Sequence, residues 1–101
     1  MTEEQAEYNT GYYFREFYIR PQMMDAIRRY IDEGLEPGDF LTAVIQNDLF
    51  GAVNWADDEN LRNLPAFVCY FYNEAARGSW GSKEGMAYWI EKKRKEREAK
   101  S

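Results

Sequence analysis

The feature that most limits the fold of this 101-residue chain is its punctuation. Pro21, Gly34, "EPGD" at 36–39, Asn47-Asp48, Asp57-Asp58 and "ARGSWGS" at 76–82 each start or stop a helix, and Pro65 kinks or restarts one. Between these signals the apolar residues recur three and four apart, the spacing of one helix face. The chain therefore reads as short helices joined by tight connections.

Pro21 suits a first helical turn, Met23, Met24, Ile27, Tyr30 and Ile31 form one stripe, and Gly34 caps the end, so the spacing predicts a helix over 21–33. Asp39 is the expected N-cap of the next helix, whose Phe40, Leu41, Val44 and Ile45 are the best candidates for the centre of the core. Asn47 and Asp48 close that helix or begin the following one, "LFGAVNWA" at 49–56. Asp57 or Asp58 caps a fourth helix, and the acids Asp57, Asp58 and Glu59 then sit where the positive end of the helix dipole favours them.

Leu61, Leu64, Val68, Phe71 and Tyr72 fall at helical spacing, interrupted by Pro65, which requires a kink or a restart. Ser82 is the next N-cap, followed by the short inner stripe Met86, Trp89 and Ile90. Beyond Ile90 the helix has no apolar face and projects into solvent. Near the N-terminus, Thr2 and Gln5 have capping-box spacing, and Asn9-Thr10-Gly11 should stop any helix begun there. "YYFREFYI" at 12–19 suits a strand, but no second strand-like run is available to pair with it, so it reads as an extended or partly helical arm. The expected fold is all-α: a single-domain bundle of four to five short helices spanning 21–91, an aromatic N-terminal arm (1–20) and a charged C-terminal helix extension or tail (92–101).

One domain follows from the length, because smaller pieces could not bury a core without staples. The seventeen aromatic residues exceed what so small a core can enclose, so some rings are expected at the surface. Cys69 stands alone, which excludes an intramolecular disulfide and fits a small buried residue in a reducing cytoplasm. No apolar run is long enough for a bilayer, and the acidic N-terminus lacks the pattern of a signal peptide. Residues 1–74 carry fourteen acids against five bases, whereas residues 75–101 carry four against eight. The body should repel nucleic acid, and the block at 92–95 is the first place for any salt-dependent binding.

Histidine is absent, which removes the commonest general base and metal ligand. With a single cysteine, zinc and iron–sulfur centres have no ligand set. The acids Asp48, Asp57, Asp58, Glu59 and Glu74 lack the spacing of a calcium loop, and "GSWGSKE" departs from a phosphate loop. No catalytic residue, metal or cofactor is assigned, and a binding role is expected instead of an enzymatic one. Arg28, Arg29 and Arg77 could hold a phosphate beside an aromatic ring, or could lie on solvated faces. Gln46, Asn47 and Asp48, with Asn73 and Glu74, could line one groove, or could be two ordinary helix ends. Trp80 could anchor a partner or plug one end of the core.

The words "PGDFLTAVIQNDL", "ADDEN", "YNEA" and "WGS" resemble a group of small accessory proteins of tailed bacteriophages, over about residues 21–91. Pro65 and the aromatic arm depart from that group's pattern. The resemblance implies action in the cytoplasm of an infected bacterium, on a bacterial host or anti-phage defence protein, by inhibition. A second class of role is a sponge for a nucleotide-type signalling molecule, held by the arginines and aromatic rings at a homo-oligomer interface.

Overall fold

The computed structural model describes residues 11–100, and the expectations for Thr2, Gln5, Asn9 and Thr10 lie outside them. Two strands, β1 (Tyr12–Phe14) and β2 (Phe17–Ile19), precede six helices: α1 (Pro21–Glu33), α2 (Asp39–Ile45), α3 (Leu49–Trp55), α4 (Asp58–Arg62), α5 (Leu64–Asn73) and α6 (Lys83–Lys100). About two-thirds of the described residues are helical.

The hairpin corrects the all-α expectation and the reading of 12–19 as an unpaired arm. The run supplies both strands itself, with Tyr12 opposite Ile19 and Phe14 opposite Phe17 in antiparallel register. A two-residue turn becomes possible because Arg15 adopts φ 56°, which matches the twist of a tight hairpin. A lone hairpin is marginal in water, and here it lies against α5. The Tyr12 and Tyr70 rings meet edge to face at 5.2 Å, and the Tyr18 amide donates to Asn63 Oδ1 at 2.8 Å. Arg20, at the exit of β2, reaches Asn60 Oδ1 at 3.0 Å, Asp57 at 3.3 Å and Glu59 at 3.1 Å, which ties the hairpin to α4.

Each helix end has a local cause. Pro21 begins α1, and Gly34 ends it at φ 71° with its amide on the Tyr30 carbonyl. At Gly34 a Cβ would also meet the Lys93 side chain and the Ile90 carbonyl, so this glycine sets how closely α6 crosses α1. Helix α2 starts one residue earlier than a capping Asp39 would place it: Gly38 is the N-cap and Asp39 the first helical residue, where its charge still favours the helix dipole. Asp57 caps α4 by accepting the Asn60 amide at 2.7 Å, and Ser82 Oγ accepts the Gly85 amide at 2.9 Å at the start of α6.

Pro65 produces a restart, not a kink: α4 ends at Arg62 and α5 begins at Leu64 with the proline in its first turn. The buried side of α5 also differs from the stripe read across the break. Ala66, Phe67 and Phe71 face inward, while Leu61, Val68 and Tyr72, read from the sequence as one stripe with Phe71, are exposed. The core joins Ile19, the α1 stripe, four residues of α2, these α5 residues, and Met86 and Trp89 of α6. Phe40 and Phe67 meet edge to face at 4.9 Å at its centre. Helix α6 continues to Lys100, its last turns held by Arg94 with Glu91 and Glu98, and by Lys93 with Glu96.

Candidate functional site

The polar trio between α2 and α3 is a pair of helix ends. Gln46 is the C-cap of α2, and Asn47 takes the left-handed conformation at φ 61°. The Asn47 amide bonds the Val44 carbonyl at 3.1 Å and the Asp48 amide bonds the Ala43 carbonyl at 2.8 Å, which is the Schellman arrangement. Asp48 then caps α3, accepting the Gly51 amide at 3.0 Å. A side chain at Gly51 would collide with that carboxylate, so the residue has a steric reason to be glycine.

Asn47 and Asp48 also stand at the rim of a groove of about 60 Å³ whose walls are Ala43, Val44, Leu49, Ala52, Leu64 and Val68. Around it lies an apolar face: Phe50 is 86% exposed, Leu49 61% and Val68 55%, with Val53 beside them. Gln46 points elsewhere, into a separate groove between α2 and α6, where its amide lies 3.4 Å from the Met86 sulfur.

The other candidates fall into three places. Arg28 and Arg29 share a surface depression with Asp25, Asp32 and Glu33, and Arg28 lies 3.4 Å from Asp25. Carboxylates outnumber the guanidiniums there, which disfavours a phosphate. Asn73 turns back onto its own helix, donating to the Cys69 carbonyl at 3.1 Å, and Glu74 is the C-cap of α5. Neither lines the groove that holds Asn47 and Asp48 at its rim. Cys69 is half-buried with its sulfur 3.4 Å from the Tyr12 hydroxyl, and that hydrogen bond, with burial, pushes the Tyr12 phenol up to about 12.

Arg77 and Trp80 are brought together, with Tyr72, around an open depression of about 460 Å³. The two rings are 6.0 Å apart, tilted by 55°. Trp80 is half-buried and packs on the core, so it closes one end of it while keeping one edge at the surface. The loop that carries it is pinned from below. Buried Tyr30 donates its hydroxyl to the Ser79 carbonyl at 2.7 Å, Ser79 Oγ donates to the Ala76 carbonyl at 2.6 Å, and the Gly81 amide donates to the Ile45 carbonyl at 2.7 Å. Gly78 at φ 90° and Gly81 at φ 120° supply backbone conformations that other residues rarely adopt. Burial pushes the Tyr30 phenol above its ordinary range. Arg77 is exposed and makes no ion pair among the described residues.

Sequence reasoning missed Leu49, Phe50, Val53, Val68 and Tyr72 as site residues. The signal was available in part: Leu49, Phe50, Val53 and Trp55 cannot all point inward from one two-turn helix. Among the described residues no group of three or more metal-ligating side chains occurs, and no helix is long and apolar enough to cross a membrane. Comparison with protein-family models, with curated proteins and with solved structures produced no match.

Proposed function

We propose that this protein is a non-enzymatic binding module, a bacteriophage accessory protein that inhibits a bacterial host or defence protein by covering its working surface. The observation that carries the binding role is the pinned 75–82 loop, which presents Arg77 without an ion-pair partner among the described residues beside Tyr72 and Trp80. Tyr, Trp and Arg are the residue types that dominate binding hot spots, and a loop ordered in advance loses little entropy on docking. The phage setting, the cytoplasmic location and the inhibitory outcome rest on the sequence resemblance.

The test is native mass spectrometry of the tagged chain isolated gently from an infected bacterium, beside Tyr72→Ala and Arg77→Glu variants with unchanged circular dichroism. A stoichiometric protein retained by the native chain and lost from both variants supports occlusion. Retention that ignores both substitutions sinks it. A second reading, the nucleotide sponge, is favoured by the same depression, where a guanidinium lies beside two rings able to stack on a base. Its mark is a nucleotide mass released from the native chain and absent from Arg77→Glu.

A further inference from the structure

We infer that the α3–α5 face is the two-fold interface of a homodimer, with Phe50 of each copy seated in the other copy's Leu49–Leu64–Val68 groove. A two-fold contact needs a surface that complements itself, so knob and hole must lie on one face. Both are present here. Phe50 is the most exposed large apolar residue of the described chain, and the adjoining groove, which Phe50 does not itself line, is walled by small and branched apolar side chains. A groove of about 60 Å³ admits the leading edge of a phenyl ring.

Area and charge agree with this occupant. Leu49, Phe50, Val53 and Val68 together expose on the order of 500 Å² per copy, so two copies reach about the 1,000 Å² that a specific interface requires before the rim is added. Asp48, at the rim with its carboxylate held on the Gly51 amide, is the one ionisable side chain lining the groove, and every other lining residue is uncharged. Tyr72, Arg77 and Trp80 line a separate depression, so a dimer would present two such sites, and binding by both would raise avidity.

Sedimentation equilibrium of the full chain across micromolar concentrations tests the inference. The expected result is twice the 12.0 kDa of one chain, reverting to 12.0 kDa in Phe50→Asp and in Leu49→Asp with circular dichroism unchanged. Trp55→Asp is the control, because helix periodicity places Trp55 on the flank opposite Leu49 and Val53, and it should remain dimeric. A native chain that stays at 12.0 kDa, or a dimer that survives both Phe50→Asp and Leu49→Asp, overturns the homodimer, including the case where the face instead takes a different protein. The binding role fails separately, through Tyr72→Ala and Arg77→Glu, so the two proposals can fall independently.

Discussion

Helices α2 and α3 are both seven residues long, both largely apolar, and joined only by Gln46, Asn47 and Asp48, yet they do opposite work. Helix α2 buries Phe40, Leu41, Ala43 and Ile45, whereas α3 buries Ala52 alone and shows Leu49, Phe50, Val53 and Trp55 to solvent. The difference lies in what surrounds each helix. α2 packs against α3 on one side and α5 on another and meets Met86 of α6 through Gln46, whereas α3, among the described residues, packs chiefly on α2. Hydrophobic composition therefore measures how much surface a helix could bury, and position in the fold decides how much it does.

The largest test of that contrast removes one phenyl ring from each helix. Phe40→Ala should cost about 3–5 kcal/mol, because the ring is buried against Phe67 and leaves a cavity in a close-packed centre. Phe50→Ala should change single-chain stability by no more than about 0.5 kcal/mol, the range for surface substitutions. Denaturant titrations at low protein concentration would read both as shifts in midpoint at constant slope. Equal losses would break the comparison, since they would mean that Phe50 is packed in the single chain. A loss at Phe50 that appears only as concentration rises would sharpen it, by assigning the exposed ring to an interface.

A smaller effect is expected at the 75–82 loop, which α1 supports through Tyr30 and α2 through Ile45. Tyr30→Phe removes a buried hydrogen bond to the Ser79 carbonyl and should cost about 1–2 kcal/mol. It also has a pH signature. Burial raises the folded-state pKa of Tyr30 above the unfolded value near 10, so its contribution is complete below about pH 10 and is lost as pH rises through the folded value. Tyr12 follows the same sign, held up to about 12 by its hydrogen bond to Cys69 and by burial. Stability measured above pH 10 should fall less steeply in Tyr30→Phe than in the native chain. An identical slope would show that the Tyr30 hydroxyl is not held out of water.

At the junction of the two helices, Asp48→Ala should cost about 1 kcal/mol through loss of the Gly51 cap. The effect belongs to α3 alone, so amide exchange should accelerate across Gly51 and Ala52 while the α2 amides keep their protection. Acceleration of both would mean that the two helices open as one unit, and the contrast between them would then describe burial but not stability.

How much of this could be read from the residues differs by element. The caps at Asp57 and Ser82, the stop at Gly34 and the α1 stripe depend on interactions within a few residues, and local spacing located them. The hairpin did not announce itself because both strands share one run, and the turn uses a left-handed arginine where glycine or asparagine is the familiar sign. The α5 stripe was misjudged for a different reason. Counting from Leu61 through Tyr72 assumes one continuous helix; α5 begins anew at Leu64, and within it Phe67, not Val68, shares the buried side with Phe71, which leaves Val68 and Tyr72 outward. Arg77 and Trp80 were candidates by residue type, but their meeting with Tyr72 depends on a loop path set by Tyr30 and Ile45, which sequence spacing does not encode.

The smallest predicted effect separates the two roles that Asn47 could hold. Its backbone is left-handed, a conformation costing about 1–2 kcal/mol for most residues, little for asparagine and nothing for glycine. Asn47→Gly should therefore leave stability within a few tenths of a kcal/mol of native, whereas Asn47→Ala should lose about 1 kcal/mol by thermal or denaturant unfolding. Glycine preserves the turn but deletes the side chain at the groove rim. If Asn47→Gly keeps native stability and native self-association, the asparagine serves only to join α2 to α3. If it keeps stability but weakens association, the amide has a second task across the interface, and the turn that separates the buried helix from the exposed one is itself part of the binding face.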